Sequence, residues 1–306
     1  MKTAYISHPD TLLHIMDGQH PESPARITAI EQHLKQHSIW QKLKHYQAPL
    51  ATDIELQRVH HADYVAHIRA IAPGAGLVKL DADTSMGPMS LAATLYASGA
   101  GILATDLVMH KKVQNAFCAT RPPGHHAGRS NSAGFCIFNH IAVAAAHAME
   151  VHGIKRVAII DFDVHHGDGT EDIFKDHPNV MLCSTFQHPF YPHRGVETRS
   201  DHMLNIPLAA KSDGLDMREI VNTIFTLALA SFKPDFIFVS AGFDAHIHDP
   251  LADLALKTED YQWMTQWIKQ MAAHYANDRV VSMLEGGYDL PSLAAAATAH
   301  ISELTL

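Results

Sequence analysis

The sequence predicts an α/β protein: a parallel sheet covered by helices on both faces. Short apolar runs alternate with longer amphipathic stretches over much of its 306 residues. The runs are near-continuously apolar, so each strand is buried on both sides, as strands of parallel sheets are. Acids and histidines follow directly after several of the runs, and open parallel sheets place their sites beyond the C-terminal ends of their strands. No internal repeat, low-complexity tract or long linker divides the chain, so residues 1–306 read as one domain.

Ala4-Tyr5-Ile6 is a first short strand, and a polar loop from His8 to Glu22 follows. Ser23-Pro24 opens a helix, with serine as the cap and proline in the first turn, and Ile27, Ile30 and Leu34 form its apolar stripe. Asp53 to Ile71 has the period of a second amphipathic helix and stops at Pro73-Gly74-Ala75-Gly76. Leu80 to Pro88 reads as a loop, and the next helix starts near Met89. Beyond it the strand candidates are Val113 to Ala119, Val157 to Ile160, Val180 to Ser184, Phe236 to Ser240 and Val280 to Leu284. Helices are expected from about Asn139, Leu215, Thr258 and Pro291.

Composition narrows the class. The net charge of −9 argues against a protein that grips nucleic-acid backbone directly over a broad surface. Cys118, Cys136 and Cys183 lie far apart in or near apolar runs, which suits buried free thiols in a reducing compartment. The N-terminal residues show no apolar signal-peptide core. The apolar stretch from Leu91 to Met109 carries Thr94, Ser98, Thr105 and Asp106 among small residues, so it reads as a buried helix and not a membrane span. A cytoplasmic protein is the expectation.

Four stretches carry chemistry. Val157-Ala158-Ile159-Ile160 runs into Asp161-Phe162-Asp163-Val164-His165-His166-Gly167-Asp168-Gly169. Residues two apart in extended chain point the same way, so Asp163 and His165 can grip one ion with an oxygen and a nitrogen, a donor set suited to zinc and its first-row neighbours. A second apolar strand delivers Asp244 in Ser240-Ala241-Gly242-Phe243-Asp244, a third ligand that leaves an open position of the catalytic kind. In the third stretch, Arg121-Pro122-Pro123-Gly124-His125-His126-Ala127, a stiff loop presents paired histidines fit to act as base and electrostatic partner on a metal-activated water. Asp161 and Asp168 are the natural acceptors for their far nitrogens. The fourth stretch, Glu285-Gly286-Gly287-Tyr288, lets backbone approach a ligand at the glycines and offers a phenol to a developing oxyanion. Together they equip a site for metal-assisted hydrolysis of an amide or ester.

These blocks, with Gly134-Phe135-Cys136, His20-Pro21-Glu22-Ser23-Pro24 and Asp81-Ala82-Asp83-Thr84, resemble the signature blocks of the histone deacetylase family, nearest its class II-like and bacterial amidohydrolase branch. They run in family order across nearly the whole chain. The resemblance implies a three-layer arginase-like fold with a central, mostly parallel sheet of about eight strands. It implies one catalytic zinc on Asp163, His165 and Asp244, His126 as general base and later acid backed by Asp168, and His125 with Asp161 in an electrostatic role. Tyr288 would polarise the acyl carbonyl. Gly134, Phe135 and Tyr191 would line a narrow tunnel for the acyl-bearing side chain, and Gly286 would lie against the substrate. A monovalent cation, commonly potassium, is implied at Asp161 and Ser184. Where the family often has two asparagines after its Gly-Phe-Cys block, this chain has Asn139-His140, expected at a helix start away from the metal.

The resulting expectation is a zinc-dependent deacylase acting on acyl-lysine in a peptide or protein. An acetylpolyamine amidohydrolase, with a small acylated amine as substrate, is the nearest rival. No insertion is evident between Ile71 and Met89, which favours the more open mouth. A two-metal ureohydrolase is disfavoured because Asp244 is followed two residues later by His246 and not by an acid. A metal-binding module without catalysis is disfavoured by the presence of His125, His126 and Tyr288. A Cys136 nucleophile is disfavoured by its apolar neighbours. A homo-oligomer is compatible with the branch.

Overall fold

The computed structural model describes residues 2–198 and 200–306. In chain order the strands are β1 (Thr3–Ser7), β2 (Lys44–Gln47), β3 (Val78–Lys79), β4 (Ser85–Met86), β5 (Asn115–Cys118), β6 (Val157–Asp161), β7 (Val180–Gln187), β8 (Met203–Leu208), β9 (Phe236–Ala241) and β10 (Val280–Leu284). The α-helices are α1 (Ala25–Gln36), α2 (Asp53–Leu56), α3 (Ala62–Ile71), α4 (Ser90–Met109), α5 (His140–His152), α6 (Asp168–Phe174), α7 (Gly214–Ile220), α8 (Thr226–Phe232), α9 (Thr258–Tyr275) and α10 (Leu290–Thr305). Eight strands form one sheet in the order β2-β1-β5-β10-β9-β6-β7-β8. Every neighbouring pair in it is parallel.

Period-2 alternation sorts the strand side chains into two cores. Ala116, Cys118, Ile159, Phe236 and Phe238 face a core completed by Leu95 and Ile102 of α4 and Ile141 and Val143 of α5. Their neighbours Phe117, Ala158, Ile160, Ile237 and Val239 face the opposite core, completed by Ile27, Ile30 and Leu34 of α1, Ile268 of α9 and Leu293 and Ile301 of α10. Two buried faces explain why the central strands read as uninterrupted apolar runs. The expected helix over Leu91 to Met109 is one layer of this packing. It passes the length and composition test for a membrane span, yet Ala93, Ala97, Ala100 and Ala104 are fully buried within the protein.

Several local expectations need correction. The Asp53–Ile71 helix is two helices, α2 and α3. The His61 N–H bonds to the Arg129 carbonyl at 2.8 Å, and the His60 ring bridges the Gly128 carbonyl and the Asn139 N–H at 2.9 Å each. These tertiary bonds compete with continuing the helix. Ser23 contributes its carbonyl to the Arg26 N–H at 3.1 Å, Pro24 occupies the cap position, and no side chain caps α1. The Leu80–Pro88 loop contains β4, which pairs with β3 in a small antiparallel hairpin. The edge strands β2 and β8 carry no apolar run, because an edge position leaves alternate residues in β2, and the middle of β8, partly exposed.

Candidate active site

Four adjacent strands, β5, β10, β9 and β6, end at one edge of the sheet, and each leads into one of the four chemistry-bearing stretches. Asp163, His165 and Asp244 place one ligand atom each within 4.8 Å of one another. His165 Nδ1 lies 3.0 Å from Asp163 Oδ1 and 3.3 Å from Asp244 Oδ2. The other oxygens are held by backbone: Asp163 Oδ2 accepts the Gly286 N–H at 2.8 Å, and Asp244 Oδ1 accepts the Val164 N–H at 2.9 Å. Asp244 Oδ2 is buried with no hydrogen-bond partner. A buried carboxylate oxygen left orphaned beside a second carboxylate and an imidazole fits a divalent cation, since burying an unpaired anionic oxygen is otherwise costly. Burial and the Asp163 charge push the Asp244 carboxyl up. His165 is held up to about 10 against burial by the hydrogen bond from its ring to Asp163 and by the negative charge of Asp244.

The paired histidines diverge. His125 Nδ1 lies 3.0 Å from Asp161 Oδ2, and His126 Nδ1 lies 2.7 Å from Asp168 Oδ1. Burial alone would lower His125, but Asp161, Asp163 and Glu285 outweigh it and hold the ring well above its ordinary value. His126 is lowered to about 4 by burial and by the His125 charge, against the pull of Asp168. Two rings 4.0 Å apart thus favour opposite protonation states.

A cavity of about 240 Å³ opens above this floor, lined by His125, His126, His165, Gly134, Phe135, Tyr191, Gly286 and Tyr288, with Asp83, Pro123 and Leu251 completing the wall. Tyr191 sets its ring edge-on to His126 at 5.1 Å. Gly134 and Phe135 form a turn closed by the Cys136 N–H on the Ala133 carbonyl at 2.8 Å, with φ of +52° and +70°. A side chain at Gly134 would place its Cβ 2.4 Å from His126 Cδ2, and one at Gly286 would come within 1.9 Å of Asp244 Oδ2. Both glycines are therefore required by close approach. Burial holds the Tyr288 phenol well above its ordinary value, so it is a hydrogen-bond donor. Asp161 and Ser184 are cross-strand partners on β6 and β7, with Ser184 Oγ 3.2 Å from His166 Nδ1. Cys136 is buried, and burial pushes its thiol well up, which disfavours a thiolate nucleophile. His246 turns away, its Nδ1 accepting the His248 N–H at 3.3 Å.

The family model described as the histone deacetylase domain matches residues 20–304. The chain belongs to the histone deacetylase family. It is 34% identical to a histone deacetylase-like amidohydrolase of Pseudomonas aeruginosa, over 94% of this chain and 77% of that one. It is 33% identical to the human polyamine deacetylase HDAC10, over 96% of this chain and 46% of that one. The crystal structure of the HDA15 HD domain matches with a TM-score of 0.92 and 31% identity, covering 99% of this chain and 88% of that chain. The eight-stranded parallel sheet is thus the arginase-like arrangement of this deacetylase fold.

Residues outside the expected set brace the histone deacetylase site. Phe190 stacks on the His165 ring at 5.4 Å. Glu285 accepts the N–H groups of Gly124 and His125 at 2.7 and 3.1 Å, and burial pushes its carboxyl up to about 7. Asp249 accepts the Tyr288 N–H at 2.7 Å. Asn139 caps α5 through the Ala142 N–H at 3.0 Å and also donates to the Ala127 carbonyl at 3.1 Å, so it steadies the histidine loop directly. Beneath them, Glu22 joins Arg121, at the start of that loop, to Arg26, which donates to the Gly287 carbonyl at 2.7 Å and to the Glu285 carbonyl. Phe190 was legible beside Tyr191, whereas Glu22, Asn139, Asp249 and Glu285 act through partners remote in sequence.

Proposed function

We propose that this chain is a zinc-dependent amidohydrolase that removes acetyl or related acyl groups from lysine side chains. The observation that carries it is the meeting, around one cavity, of a three-donor cluster with an orphaned oxygen, two histidines each tied to its own aspartate, and a tyrosine in the cavity lining. Asp163, His165 and Asp244 would hold the zinc, which when bound polarises the acyl carbonyl and lowers the pKa of water.

The chain's own residues supply the remaining steps. His126 lines the cavity, with Nδ1 fixed on Asp168 and Nε2 left to take a proton from the attacking water. The same nitrogen then returns the proton to the leaving amine. His125, paired with Asp161 and favouring the protonated state, adds positive charge beside the developing oxyanion. The Tyr288 phenol donates to that oxyanion. Gly134, Phe135 and Tyr191 confine the acyl-bearing chain, and Gly286 lets backbone close on it. A potassium ion beside Asp161 and Ser184 belongs to the same reading, as do a single catalytic domain over residues 1–306, a cytoplasmic setting and a homo-oligomer.

An acetylated polyamine is the second substrate class, favoured by the human relative's name and by Asp83 on the cavity wall, where a carboxylate can meet a cationic substrate. Turnover of an acetyl-lysine peptide and of an acetylated polyamine by the zinc-loaded protein decides between them. Faster peptide cleavage supports the lysine reading, faster polyamine cleavage replaces it with the second, and chelator-resistant turnover of either removes the metal mechanism.

A further inference from the structure

A second group of ligand-type side chains lies at the opposite end of the molecule. Helices α4 and α5 lead into β5 and β6, so their C-termini sit where those strands begin, while the candidate active site lies where the strands end. Asp106, in the last turn of α4, places Oδ1 2.8 Å from His147 Nε2 and 2.6 Å from His152 Nε2 of α5. The three ligand atoms lie within 4.8 Å of one another. His110 stands four residues beyond Asp106, is exposed, and brings its ring to 5.5 Å from that of His152. Residues four apart share a helix face. The negative ends of two helix dipoles also converge here and favour a cation.

We propose that Asp106, His147 and His152 form a second, accessory site for a divalent metal of the zinc class. Two imidazoles and a carboxylate suit zinc and its first-row neighbours, and three protein ligands leave a position for water or for His110. Tetrahedral bonds of about 2.0–2.1 Å put ligand atoms roughly 3.3 Å apart. The cluster therefore has to widen by about half an ångström, which the half-buried Asp106 and His152 can supply by side-chain rotation.

Arg58 sets the affinity. Its NH1 lies 2.9 Å from His147 Nδ1. A guanidinium only donates, so Nδ1 is the acceptor and the proton sits on Nε2, facing Asp106. Metal binding at Nε2 moves that proton to Nδ1, and Arg58 must then release the ring. It has a second partner ready, the Glu150 carboxylate at 3.1 Å from its Nε. Removing Arg58 should therefore tighten the site. A cluster built only for hydrogen bonding would gain nothing in metal affinity from that change.

The test is equilibrium dialysis of the full chain against Zn²⁺, with bound metal counted by elemental analysis, for wild type, His152→Ala and Arg58→Gln. The wild type should bind one equivalent more than His152→Ala, whatever the occupancy of the active site, because the readout is the difference. Arg58→Gln should bind that extra equivalent on the order of tenfold more tightly, the scale on which groups hydrogen-bonded to a ligand move metal affinity. Equal stoichiometry in wild type and His152→Ala would overturn the site. Unchanged or weaker binding in Arg58→Gln would overturn the assigned proton arrangement and the site with it.

Discussion

Replacing Glu22 with glutamine tests whether one buried carboxylate holds the His125–His126 loop and the Gly286–Tyr288 loop together. Glu22 is 1% exposed and sits between Arg121, at 2.5 and 2.8 Å, and Arg26, at 3.1 Å. Burial alone would raise its carboxyl, but Arg121, His14 and Arg26 outweigh that and bring it from 4.5 to about 2. At about 1.4 kcal/mol per pH unit, a depression of that size links the charge to roughly 3 kcal/mol of stability. This is in line with the 3–5 kcal/mol typical of removing one partner from a buried ion pair. A depressed pKa contributes stability that is complete above the unfolded value and lost as pH falls through the folded one. The contribution should therefore be full above about pH 4.5 and fade toward pH 2. Urea denaturation of wild type and Glu22→Gln at pH 7 and at successively lower pH reads this directly. The variant should be about 3 kcal/mol less stable at pH 7, and the gap should close below pH 4.5. A gap that stays constant with pH, or one well under 1 kcal/mol at pH 7, would show that the charge is not what holds Glu22 to its arginines.

Further outcomes follow from the site. His126→Ala should lower turnover by about 10²–10⁴ while zinc content by elemental analysis stays near one equivalent at the active site; wild-type rates would remove His126 as the base. Asp244→Asn takes the charge from the orphaned oxygen and should weaken zinc retention in dialysis against a chelator, and unchanged retention would take Asp244 out of the ligand set. Tyr288→Phe should cost about 10²–10³ in kcat with little change in zinc content, the scale of losing one oxyanion donor. Gly286→Ala forces a Cβ to within 1.9 Å of Asp244 Oδ2. It should lower zinc affinity without replacing any residue of the three-donor cluster, and wild-type affinity would mean that this loop moves freely.

The candidate site was largely legible because its chemistry is concentrated. Asp161, Asp163, His165 and Asp168 lie within eight positions at one strand end, but the expected extended geometry does not hold: β6 stops at Asp161, the chain bends from Asp163 to His165, and Asp168 opens α6, so Asp163 and His165 meet through a turn in which Asp163 Oδ1 accepts the His165 N–H at 2.9 Å. His165 joins the three-donor cluster, while its neighbour His166 turns to Ser184 and Glu171. The fold was legible where strands are buried on both faces and illegible at the edges, where β2 and β8 have no apolar run to reveal them. What stayed hidden is the bracing. Arg26 shows in sequence only as one cation on an otherwise apolar helix stripe, yet it is fully buried and donates to the Glu285 and Gly287 carbonyls. Glu22 lies in a polar stretch that predicts exposure, yet it is partnered across 99 residues of sequence by Arg121. Local patterns report which groups can do chemistry. The distances between those groups are set by buried ion pairs and backbone acceptors whose partners only the folded chain brings together, so substitutions at Glu22 and Gly286 probe the site as directly as substitutions in the three-donor cluster itself.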